Sequence, residues 1–163
     1  MFLQLLKLVI TIGLHWGIKV QGSLQLNEET LRLSIRKGDC GSACFRLTQY
    51  MEDCHFWFVV KETATQPDEE APILQHYYFP GGNLLLISIS EEESDRLKCK
   101  IDPKCPHKLL YKDYIWAIKF AQNVRDEEGN ILGVDSVKTL IPAMNRRPPT
   151  FRVYPEIIEG PHI

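Results

Sequence analysis

A chain of 163 residues, 44% hydrophobic and 10% aromatic, has the length of one domain and enough apolar content for a core, which excludes disorder as a whole. Its formal charge of −2, with both signs scattered along the chain, points away from nucleic acid and from an anionic membrane surface. Beyond the N-terminus no segment approaches the ~20 apolar residues of a membrane span; Leu84 to Ile89 is far too short.

Met1 to Gly22 is expected to be a cleavable signal peptide. Lys7 supplies the positive charge, Leu8 to Leu14 a short apolar region, and Val20 and Gly22 the small residues before a cut at Ser23. A buried N-terminal element or an uncleaved anchor are the alternatives. Lys7 and Lys19 leave with the signal and no acid does, so the remainder is two charges more negative than the whole. The expected organisation is a signal at 1–22, a single β-rich domain at 23–155 and a loosely ordered tail at 156–163. No asparagine begins an Asn-x-Ser/Thr sequon, so N-glycosylation is not expected.

Leu31, Leu33 and Ile35 alternate with polar residues and predict a half-buried strand, followed by a turn at Gly38 to Ser42. His55 to Glu62, rich in aromatic and β-branched residues, predicts the strongest strand. Thr63 to Pro72 reads as an exposed loop. Ile73 to Phe79 and Leu84 to Ser90 flank Pro80-Gly81-Gly82-Asn83 and are expected to form a β-hairpin. Glu91 to Asp95 reads as a solvated acidic loop, because the alternating oxygens and turn glycine of a calcium site are missing. Leu97 to Pro106 is taken as a loop. Leu109 to Gln122 favours a strand, and Asp126 to Asn130 turns it into Ile131 to Val134. Val137 to Ile141 and Thr150 to Tyr154 are further strands around a proline-rich loop with Arg146 and Arg147. Seven or eight short strands with almost no helical periodicity predict an all-β, disulfide-stabilised, two-sheet sandwich, immunoglobulin- or fibronectin-like in outline, with a β-barrel as the alternative. The Cys…Trp…Cys spacing of an immunoglobulin domain is not clearly present.

Five cysteines stand at Cys40, Cys44, Cys54, Cys99 and Cys105. Behind a signal peptide they are expected to form two disulfides with one thiol over, the odd one a candidate for linking two chains. Pairing is open: one bridge joining the two clusters and a local Cys99–Cys105 bridge are the competitors. Zinc is the weaker reading, since Cys40-x3-Cys44 and Cys99-x5-Cys105 lack the tight spacing of zinc motifs.

No nucleophile elbow, phosphate loop, zinc-protease helix or dinucleotide fingerprint occurs, and no cofactor is expected. His55 and His76, on different predicted strands, are the candidates for acid–base or metal chemistry if the fold joins them; His107 reads as a surface residue. Consecutive aromatics carry more suggestion. Phe56-Trp57-Phe58 and Tyr77-Tyr78-Phe79 must each point to both faces of a strand. Phe56, Trp57, Phe58, Tyr77 and Tyr78, with Arg146 and Arg147, form the candidate recognition surface; two-sided packing is the competing explanation. The leading functional expectation is a secreted, non-enzymatic module that binds another extracellular or cell-surface protein, in adhesion, ligand capture or signalling. A carrier of a small apolar ligand and a small secreted hydrolase are the alternatives.

Overall fold

Two long strands carry the fold. The computed structural model describes residues 14–27, 29–140 and 149–156, with side chains from Gly22 onward. The strands are β1 (Leu14–Gly22), β2 (Gln25–Asn27), β3 (Arg32–Arg36), β4 (Gly41–Lys61), β5 (Ile73–Ile89), β6 (Lys100–Asp102), β7 (Cys105–Leu110), β8 (Lys112–Arg125), β9 (Ile131–Val134), β10 (Lys138–Leu140) and β11 (Thr150–Tyr154). The helix α1 spans Glu91–Asp95, and a 3-10 turn spans Asp68–Glu70. Among the described residues no helix is long and apolar enough to cross a membrane.

The all-β class stands. β4 is bordered by β5 along one edge, and by β1 and β8 in succession along the other. From β8 the sheet runs through β11 and β3 to β2; among the described strands only β11 and β3 are parallel. The result is one sheet curled into a half-barrel, with β6 and β7 as a separate ribbon, and the expected division into two facing sheets is not seen. Curling is built into β4. Its register against β5 shifts between Arg46 and Met51, and Asp53 adopts a left-handed conformation at φ 51°. An aspartate tolerates this better than most side chains. Inward residues therefore change parity, from Ala43, Phe45 and Leu47 to Cys54, Phe56, Phe58 and Val60. Tyr114, Trp116, Ile118 and Phe120 of β8, and Phe151 and Val153 of β11, fill the same core. The Trp116 indole NH donates to the Leu31 carbonyl at 3.1 Å, so the largest core side chain leaves no buried donor unpaired.

Several expectations change. Pro80 to Asn83 does not reverse the chain: Ile73–Ile89 is one strand, paired to β4 on both sides of that segment. Proline and two glycines serve there as a bend, with Gly82 at φ 142°, a conformation β-carbons disfavour. The acidic run is a helix because Ser90 and Glu93 form a capping box, each side chain bonding the other's backbone NH at 3.1 Å. The predicted loop at Leu97 to Pro106 contains β6 and the start of β7. β1 lies inside the segment assigned to the signal, and its backbone pairs with Gly41 to Leu47. Gly22, read as the small residue before the cut, has φ 74° here, and a β-carbon on it would stand 2.5 Å from the Cys40 carbonyl oxygen. Close backbone approach is thus a second physical reason for glycine at this position.

All five cysteines are free thiols, which corrects the two-disulfide framework. Cys44 and Cys54 lie on the same strand, ten residues or roughly 30 Å of extended chain apart, where a bridge needs α-carbons about 6 Å apart. Cys54 is sealed in the core between Phe79 and Gln122 on its neighbouring strands. Burial, then the charge of Asp53, pushes its thiol up to about 11, so it stays protonated. Cys99 is half-buried, its thiol raised by burial, with Sγ 3.9 Å from the Val153 carbonyl. Cys40 and Cys105 are exposed.

Candidate recognition face

The parity of β4 decides what reaches the outer face. With Phe56 and Phe58 inside, Asp53, His55, Trp57 and Val59 must point outward. Register then aligns their neighbours: His55 lies between Ala121 and Tyr78, and Trp57 between Lys119 and His76. The two histidines that sequence analysis singled out come together, diagonally across β4 and β5. His55 Nδ1 and His76 Nε2 are 2.8 Å apart, and the rings stack at 5.0 Å between centroids, 16° from parallel. Trp57 lies 5.2 Å from His76 and 6.0 Å from His55, and Tyr78 lies 5.4 Å from His55.

A polar chain anchors the strip. His55 Nε2 is 2.9 Å from Asn123 Oδ1, and the Asn123 amide NH₂ donates to Asp53 Oδ1 at 3.0 Å. Tyr78 OH donates to the same oxygen at 2.9 Å. The Arg125 guanidinium clamps the carboxylate with two N–H bonds of 2.5 and 2.9 Å. Arg125, then Asn123, holds the Asp53 carboxyl well below the ordinary carboxylate range. The network fixes tautomers. Because Asn123 donates to Asp53, its oxygen faces His55, so His55 Nε2 carries the proton and Nδ1 accepts from His76.

Further along the same face, Val59, Ile115, Ala117, Leu140 and Pro149 line an apolar cleft of about 270 Å³. Lys61 and Lys119 stand at its rim, both paired to Asp68 from the 3-10 turn, Lys119 at 2.5 Å. Burial raises the Asp68 carboxyl and the two ammonium groups lower it, with a net shift downward.

Of the expected recognition residues, Trp57 and Tyr77 are half-buried and Tyr78 is 51% exposed, while Phe56 and Phe58 belong to the core. Tyr77 packs against that core and donates to Gln75. Arg146 and Arg147 lie outside the described residues. Asp53, Asn123 and Arg125 were not singled out from sequence; only the pairing of β8 with β4 places them beside His55. The His55 ring spends both nitrogens on His76 and Asn123, so it cannot act as a base without releasing one. Among the described residues no three His, Cys, Asp or Glu side chains gather as a metal site. No family model matches the chain, and no curated protein is detectably similar to it.

Proposed function

We propose that this chain is a secreted, non-enzymatic binding module that holds another extracellular or cell-surface protein against the outer face of β4 and β5. The observation that carries the reading is the aromatic–histidine strip. Trp57, His76 and Tyr78 stand together on a face held rigid from below by the Asp53–Arg125 clamp, and aromatic side chains ordered in advance lose little entropy on contact. Leu74, Leu84 and Leu86 of β5, between 44% and 57% exposed, extend the apolar surface along the strand. Secretion rests on the Lys7, apolar and Val20–Gly22 pattern.

The test is saturable binding of the fluorescently labelled protein to intact cells. A Trp57→Ala/Tyr78→Ala variant, shown by circular dichroism to be folded at the assay temperature, is expected to bind at least tenfold more weakly. Unchanged binding by that variant, or no saturable binding on any cell type, overturns the reading. Intact mass of the protein recovered from culture medium tests secretion: a chain starting at Ser23 supports it, and retention of Met1 with the cells opposes it.

One observation favours a second reading, carriage of a small apolar ligand. The cleft beside Val59 and Ala117 is apolar, although it lies outside the sheet rather than within the filled half-barrel. One-to-one binding of anilinonaphthalene sulfonate, abolished by Ala117→Trp, supports it; binding indifferent to that change removes it.

A further inference from the structure

We propose that the β6–β7 ribbon is a docking element for an anionic lipid surface. Residues 96–108 hold Arg96, Lys98, Lys100, Lys104 and Lys108 against a single acid, Asp102. The chain as a whole has 19 basic and 21 acidic side chains, so the rest is markedly acidic and this segment reverses its sign. The charges are concentrated here rather than scattered. All five cations are exposed, and among the described residues none takes part in an ion pair. Lys100 is felt by Asp113 and Lys98 by Glu62 without either forming an ion pair, and five cations against Asp102 leave the segment a positive local field.

The ribbon is also two-faced. Lys100 pairs with Leu110 and Ile101 with Leu109, so Ile101 and Leu109 share one face while Lys100 and Lys108 share the other. Ile101 is 64% exposed and Leu109 48% exposed. Pro103, Lys104, Cys105 and Pro106 form the exposed tip, where the Lys104 NH bonds the Asp102 carboxylate at 2.9 Å and tightens the turn. Behind the ribbon, Tyr114 OH bonds the Lys98 NH at 2.8 Å, and Tyr111 lies beneath Arg152 at 3.7 Å. These contacts fix the base and leave the far end free. A polyanion such as heparin or nucleic acid calls for the lysines alone. An exposed aliphatic pair alternating with lysines fits a bilayer interface, where the cations meet headgroups and the apolar pair enters the acyl boundary.

The experiment is co-sedimentation of the intact protein with vesicles of phosphatidylcholine, with and without 30% phosphatidylserine. Binding to the anionic vesicles, released at high salt and at least tenfold weaker on phosphatidylcholine alone, is expected. Lys100→Glu/Lys104→Glu/Lys108→Glu should reduce it at least a hundredfold, since each lysine is worth about fivefold near such a surface. Ile101→Ser/Leu109→Ser, which keeps every charge, should reduce it about tenfold. All variants are checked by circular dichroism, and exposure of these side chains predicts unaltered melts. No sedimentation with anionic vesicles overturns the proposal. So does retention of heparin or DNA with vesicles unbound, or a charge-reversed variant that binds like the parent.

Discussion

The two faces of the β8–β4–β5 sheet are made from alternate residues of the same strands and obey different rules. Inside, Phe56, Phe58 and Ile118 pack in the apolar core, as does Trp116 apart from its one bond to the Leu31 carbonyl, and shape and volume decide their contribution. Outside, Asp53, Asn123, His55 and His76 are joined by directed bonds, and removing one partner strands the others. The inner face is where stability is concentrated, and the outer face is where order is obtained without full burial.

The sharpest way to break this contrast is to shorten neighbouring residues. Phe56→Ala should destabilise the fold by about 3–5 kcal/mol in urea unfolding, and Trp57→Ala by roughly 1 kcal/mol. Equal losses would erase the distinction. Thiol labelling sharpens it next. Cys40 and Cys105 should react with maleimide in the native protein, and Cys54 at least a hundredfold more slowly, because burial suppresses its thiolate and blocks access. Native-state labelling of Cys54 at the rate of Cys105 would mean that the inner face is open.

Acid tests the outer network. The Asp53 carboxyl is depressed by Arg125 and Asn123, so its contribution is complete above the ordinary carboxylate value of about 4 and is lost as pH falls below it. Melting temperatures of the parent should therefore fall more steeply below pH 4 than those of Asp53→Asn; parallel curves would show that the clamp adds nothing. The smallest effect is expected from Asp68→Asn, which leaves Lys61 and Lys119 facing each other. Partial exposure limits the loss to about 1 kcal/mol or less. It should shrink in 1 M salt, and a salt-independent loss would point to packing of the 3-10 turn.

Much of this contrast is legible in sequence, unevenly. Alternation at Leu33 and Ile35 and at Tyr114 to Phe120 marks inward positions directly, and Thr150–Tyr154 is a strand over the expected residues. The meeting of His55 with His76 follows from two strands pairing, and was foreseeable only as a conditional. Pro80-Gly81-Gly82-Asn83 misleads because the same residues suit a hairpin turn and a bend within a strand; pairing with β4, not local chemistry, decides between them. The Ser90–Glu93 capping box was readable but was outweighed by the acidity of the run. The ribbon's charge escaped notice for a different reason. A net charge near zero averages away a local excess, and the excess matters only once the ribbon projects. Asp53 is the hardest case, since a left-handed aspartate within a strand leaves no mark in a pattern of alternation.

The placement of β1 has a practical consequence for anyone preparing this protein. Gly41 to Arg46 is hydrogen-bonded on both sides, to β5 and to β1. A chain begun at Ser23 keeps only the β5 side, leaving the amides and carbonyls of every second residue along this stretch available to whichever strand arrives first, including one from another molecule. The choice of first residue thus sets colloidal behaviour as well as mass: a preparation starting upstream of Leu14 carries its own cover for this edge, and one starting at Ser23 should self-associate more as its concentration rises.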